Sequence, residues 1–282
     1  SYHFSHRPGG GRQALMRSRL GPVVLLLVAC SAPAASTTTT TSEPLASTTA
    51  AAPAVAVFAP ETKDAYPVVV MFHGGGWFGG SPLSTARLAE YLADNGVVVF
   101  NSTYRTSTGG YPESFDDIAC AIRDARTEAS EYTTTVDEIT VVGHSAGAHL
   151  GAVVSLSGET FGGDCASTEE IDRFVGLSGV YDPTLYTQLL ATFFHTRFEN
   201  DPAPWEAGNP YTYLEENSDL AVLLLHGDDD QIVPTSSSEL FADALAEAGH
   251  EVTLEVIGGG DHQSTRQPDT AGPVIIDFLV GG

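Results

Sequence analysis

Five consecutive residues, Gly143-His144-Ser145-Ala146-Gly147, have the composition of a sharp turn built around a serine. A serine hydroxyl is a weak nucleophile until a base takes its proton, and it must stand clear of the backbone to reach an electrophile. Glycines two residues before and two after it allow that, because a tight strand-to-helix turn has no room for a Cβ on either side. The same turn aims the N–H of Ala146 and the start of the following helix at the group under attack, where negative charge gathers. His73-Gly74-Gly75-Gly76-Trp77 offers the complementary feature. Consecutive glycines let main-chain N–H groups converge with no side chain in the way, so Gly75 and Gly76 join Ala146 as a candidate oxyanion hole. The loop lacks the Gly-Lys-Ser/Thr ending of a phosphate cradle. His262, reached through Gly258-Gly-Gly-Asp261, is the favoured base; His195 and His250 compete with it. Asp228, Asp229 and Asp230 are three acids for the single task of orienting an imidazole. His144 and His149, which flank the serine, read as packing or hydrogen-bonding residues, and His73 as an anchor for its loop. Trp77 is a candidate wall of a substrate pocket or simply a core residue, and Tyr181 is a further candidate wall. The chemistry implied is attack on a carbonyl carbon through a covalent acyl intermediate.

These groups lie far apart in the chain, so the elements between them must bring them together. Val68–Phe72 is a continuous apolar run after Pro67, as expected of a strand buried on both faces. Further strands are expected at 97–100, 139–142, 174–177, 220–225 and 252–257. Helices are expected at 84–95, 115–130, 146–156, 238–248 and 273–280, with Gly96 and Gly249 as stops. Strand-helix alternation predicts an α/β fold with a mostly parallel sheet of about six to eight strands, covered by helices on both faces. Every chemical motif above falls at the carboxyl end of a strand, where such sheets gather reactive groups.

Composition sets limits on partners. There are 36 acids against 12 bases, for a net charge of −24, and Lys63 is the only lysine. Such a surface repels nucleic acid and anionic membranes and suits a neutral or cationic substrate. Before Cys30 the charges are all positive (Arg7, Arg12, Arg17 and Arg19). Met16 is followed by two of these arginines, then an apolar stretch ending Leu27-Val28-Ala29-Cys30, which resembles the lipobox of bacterial lipoproteins. The resemblance implies cleavage before Cys30, lipidation of its thiol, and export to the cell surface with a membrane anchor; secretion without a lipid is the alternative. Residues 1–29 are then upstream sequence and signal, with residues 1–15 outside the fold. Residues 30–54 are Ser, Thr, Ala and Pro, too polar to bury a core, and read as a tether. The catalytic domain is expected over 55–282, with 182–217 as a lid-like insertion. The aromatics of that insertion face substrate or form a small core of their own.

From about residue 60 to its end the chain resembles the α/β-hydrolase carboxylesterases with HGGG-type oxyanion loops, near the BD-FAE and hormone-sensitive-lipase-like groups. The matching pieces are residues 73–77, Tyr104-Arg105, Asp116-Asp117, residues 143–147, Asn209-Pro210, residues 226–234 and Asp261-His262. The resemblance selects Asp230 as the acid, within His226-Gly-Asp-Asp-Asp230-Gln-Ile-Val-Pro234, and implies a Ser145–His262–Asp230 triad. It implies hydrolysis of short acyl esters without metal or cofactor. In that fold the helix bearing Cys120 and the loop bearing Cys165 lie on one side of the sheet, so a bridge between them is one expectation and two separate thiols the other. The chain departs from the family in having only Val55–Phe58 ahead of the HGGG strand and no large N-terminal helical cap. An amidase, arylformamidase or peptidase on the same scaffold is the nearest rival; a non-catalytic hydrolase-like binding protein is a more distant one.

Overall fold

The computed structural model describes the main chain of residues 4–8 and all of residues 55–106, 109–165 and 171–281. Cys30 and the tether lie outside the described residues. Eight strands form one sheet: β1 (Phe4–Pro8), β2 (Val55–Phe58), β3 (Val68–Phe72), β4 (Val98–Ser102), β5 (Ile139–His144), β6 (Arg173–Leu177), β7 (Ala221–Gly227) and β8 (Val252–Gly258). Their order across the sheet is β1-β8-β7-β6-β5-β3-β4-β2. All neighbours are parallel except β2, which runs antiparallel to β4 at one edge. At the other edge Phe4–Pro8 pairs with β8, which corrects the expectation that residues 1–15 stand outside the fold. The open edge of β8 presents unpaired N–H and C=O groups, and an extended segment that reaches it satisfies them.

The central strands alternate between two cores. Val68, Val70 and Phe72 of β3 face one cluster; Val69 and Met71 face the other. The first cluster is closed by α2 (Glu113–Glu128), α3 (Ala146–Ser157) and α6 (Ser236–Ala248), through Phe115, Leu150 and Phe241 among others. The second is closed by α1 (Ala86–Asp94) and by the last helix, Pro268–Val280, through Leu88, Leu92 and Ile275. That last helix starts five residues before its expected position. Pro268 serves its first turn, where no N–H partner is needed, and the turn ahead of Pro273 is held by Gly272 packed on the Tyr91 ring, where a Cβ would lie 2.3 Å from a ring carbon. The open choice over the cysteines resolves as a disulfide: Cys120 of α2 is bonded to Cys165, with their Cα atoms 4.9 Å apart.

The 182–217 segment contains two short helices, α4 (Thr187–Leu190) and α5 (Ala203–Ala207), among 3-10 turns. Its larger aromatics build a core continuous with that of the domain. Phe193, Phe194 and Trp205 are fully buried; Phe193 packs on Phe115 and Phe194 on Tyr111 of the main body, and Trp205 packs behind them on Phe194. The last helix, α7, spans Pro268–Val280.

Candidate active site

Strand β5 ends at His144 and α3 begins at Ala146, leaving one residue to make the turn. Ser145 makes it with φ 54° and ψ −117°, a conformation that non-glycine residues adopt only under constraint. The constraint is visible at Gly147, where a Cβ would come within 2.4 Å of the His73 carbonyl oxygen. The serine turn and the glycine loop after β3 therefore pack backbone to backbone. In that loop Gly75 takes φ 143°, and a side chain there would meet the Gly79 carbonyl at 2.0 Å. Gly76 and Trp77 also have positive φ, at 60° and 66°. Ala146 opens α3, so its N–H has no carbonyl of its own helix to bond. Gly75, Gly76 and Ser145 line one cavity of about 470 Å³.

His262 reaches the serine from the loop after β8. Its Nε2 lies 3.0 Å from Ser145 Oγ and its Nδ1 2.7 Å from Asp230 Oδ2. With Nδ1–H donating to the carboxylate, Nε2 is left to accept the serine proton. Asp230 sits in the turn after β7, where its Oδ1 accepts the main-chain N–H groups of Ile232 and Val233 at 2.8 and 2.9 Å. Burial alone would raise its pKa, but the N–H of Val233, the His262 imidazole and the N–H of Ile232 together hold it below the ordinary carboxylate value. Asp228 and Asp229 do not reach the imidazole: Asp228 accepts from the Gly259 N–H and Asp229 from the Gln231 amide. His250 bonds the Leu214 and Leu220 carbonyls, and His195 is exposed in the insertion.

Three further histidines brace the site. His226, at the end of β7, places Nε2 at 3.0 Å from the Val233 carbonyl and 3.2 Å from Asp230 Oδ2, while Nδ1 accepts from Ser238 at 2.7 Å. This role was missed in the sequence; the signal is a histidine four residues before the acid at a strand end. His144 directs Nε2 at the main-chain carbonyl of His262, 2.9 Å away. His149 accepts the Trp77 indole N–H at 3.0 Å and donates to the Gly208 carbonyl at 2.8 Å, so α3, the glycine loop and the insertion meet at one ring. Desolvation lowers the pKa of both His144 and His149 to about 4. They are neutral at pH 7, as one-donor, one-acceptor bridges require. His73 donates to the Gly74 carbonyl at 2.8 Å and stacks on Tyr104, in keeping with an anchor for its loop.

The two candidate pocket walls part company. Trp77 lines the cavity, together with Val180, Tyr186, Leu189, Ile232 and Val233. Tyr181 does not: it is fully buried, its ring stacked on Phe241 with centroids 4.2 Å apart. Its side chain turns into the α6 core, and the preceding residue, Val180, takes the place at the cavity.

Residues 56–245 match the BD-FAE family model. Among curated relatives, the esterase LipQ of Mycobacterium tuberculosis is 28% identical over 197 residues, covering 65% of this chain and 46% of that protein. A probable isoprenylcysteine α-carbonyl methylesterase of Oryza sativa is 29% identical over 222 residues, covering 72% of this chain and 53% of its own length. The chain thus spans about half the length of these relatives. Among solved structures, a truncated carbohydrate esterase from gut microbiota superposes with a TM-score of 0.71 at 21% identity, over 80% of this chain and 90% of that one. That likeness shows the α/β-hydrolase fold. The family match extends over both the glycine loop and the serine turn, and the chain belongs to the BD-FAE family.

Proposed function

We propose that the chain is a serine carboxylesterase that hydrolyses short acyl esters through an acyl-enzyme intermediate. The observation that carries this reading is the unbroken relay from Ser145 through His262 to Asp230, at 3.0 and 2.7 Å, beside the cavity. Ser145 Oγ attacks the ester carbonyl while His262 Nε2 takes its proton. Asp230 keeps the proton of Nδ1 in place and stabilises the imidazolium. The carbonyl oxygen, now negative, is received by the N–H groups of Gly75, Gly76 and Ala146. The alcohol leaves with the proton from His262, and water, activated by the same imidazole, releases the acid. No step calls for a metal or cofactor. The apolar wall of Trp77, Val180, Leu189 and Val233 supports an acyl chain of a few carbons. The order of basic residues, apolar stretch and Cys30 supports a lipid-anchored protein at a bacterial cell surface; loss of membrane association in Cys30→Ala tests it.

Ser145→Ala should abolish turnover of p-nitrophenyl butyrate and labelling by a phosphonate, while circular dichroism shows the fold intact. Retained turnover would falsify the assignment of Ser145. A panel of matched ester, formamide and peptide substrates separates the esterase from an amidase on the same relay.

A further inference from the structure

The cavity beside Ser145 has a mixed lining: besides the aliphatic and aromatic residues, Ser84, Gln263 and Arg266 contribute to it. Arg266 ends the 3-10 turn Ser264–Arg266, four residues past His262, and is half-buried. Its guanidinium is fixed at two points: Nε donates to Gln263 Oε1 at 2.5 Å, and Nη1 donates to the main-chain carbonyl of Ser84. Both acceptors are neutral.

Three other arginines have carboxylate partners, while Arg87 and Arg197, which form no ion pair among the described residues, are exposed to water. Arg105 is paired with Asp117, Arg123 with Asp124 and Arg173 with Glu138. In a chain with three acids for every base a carboxylate is easily found, yet among the described residues none forms an ion pair with Arg266. A cation taken partly out of water and given only neutral partners is stabilised when an anion joins it. A guanidinium held rigid presents its remaining N–H groups in the planar fork that fits a carboxylate.

We propose that Arg266 receives a carboxylate carried by the substrate. On the ester-hydrolase reading, on which this rests, the preferred substrates are esters with a free carboxylate a few atoms from the scissile bond, such as hemi-esters of dicarboxylic acids. The overall charge of −24 favours neutral or cationic esters at long range. Screening limits that field to about 8 Å at physiological ionic strength, so the guanidinium governs selection inside the cavity.

The test compares kcat/KM for p-nitrophenyl butyrate, p-nitrophenyl hemiglutarate and a trimethylammonium-bearing butyrate ester, in the unmodified protein, Arg266→Gln and Arg266→Lys. The ratio of anionic to neutral ester should fall about tenfold or more in Arg266→Gln, the scale of a hydrogen bond to a charged group. Arg266→Lys, which keeps the charge without the fork, should fall in between, and the cationic ester should gain in Arg266→Gln. An anionic-to-neutral ratio equal in the unmodified protein and Arg266→Gln overturns the proposal. If no ester is turned over at all, it is the hydrolase reading that fails. Arg266 is then judged by calorimetric binding of the hemiglutarate against the butyrate: tighter binding of the hemiglutarate, lost in Arg266→Gln, upholds the proposal, and equal affinity overturns it.

Discussion

His144 shows how much a single variable position can carry. It occupies the residue before the serine, and its ring touches all three arms of the site. Its Nε2–H holds the His262 main chain at 2.9 Å, its ring centroid stands 5.0 Å from that of His262, and its Nδ1 would collide at 2.6 Å with any Cβ on Gly74. Loss of the bond frees the backbone of His262, the proposed base, and displacements of about 1 Å at reacting atoms cost on the order of 100-fold. His144→Ala should therefore lower kcat by about 10- to 100-fold, with a smaller change in KM. His144→Gln, which keeps an N–H donor on a side chain of similar reach, should recover much of the loss. Equal defects in the two variants would show that bulk, not the hydrogen bond, is what matters at this position.

At the scale of elements, the Cys120–Cys165 bridge pins α2 to the turn beyond α3 across 45 positions. Closing a loop of that length removes enough freedom from the unfolded chain to stabilise the fold by about 4 kcal/mol. Neither cysteine lines the cavity. A Cys120→Ser/Cys165→Ser pair should melt well below the unmodified protein, yet turn over p-nitrophenyl butyrate at its usual rate at low temperature; a matching loss of kcat there would place the bridge in the site's support. The elements themselves were largely legible in the sequence. Buried parallel strands write themselves as apolar runs, and the glycine-flanked serine, the glycine loop and the late histidine all sit at strand ends where the fold puts them. What was not legible depends on contacts between distant segments. The start of α7 is set by Tyr91 packing on Gly272, the burial of Tyr181 by Phe241, and the capture of Phe4–Pro8 by the open edge of β8. The aromatics of the insertion could not be divided by pattern, since a small core and a substrate wall have the same composition. Only Tyr186 among them lines the cavity, beside the aliphatic Leu189.

Taken as a whole, the molecule keeps several imidazoles out of water, His73, His144, His149 and His226 among them, and its stability should report them. Burial lowers the pKa of His144 and His149 to about 4 and lowers those of His73 and His226 as well. In the unfolded chain each returns to its ordinary value near 6.5. Between those limits the unfolded state binds protons that the folded state refuses, so stability rises with pH across the window and is lost as pH falls from about 6.5 toward 4. His144 and His149 alone can each contribute roughly 3 kcal/mol to that loss when it is complete. Asp230 acts in the same direction lower down, because its depressed pKa gives stability that disappears only when the carboxylate is finally protonated. The melting temperature should therefore be nearly flat above pH 7 and fall steeply below pH 6, before most surface carboxylates titrate. His149→Gln offers the Trp77 indole an acceptor and the Gly208 carbonyl a donor without a titrating ring. It should be less stable than the unmodified protein at pH 8, and the difference should shrink as the pH approaches 4. Parallel melting curves for the two proteins down to that pH would mean that the buried imidazoles do not drive the acid transition.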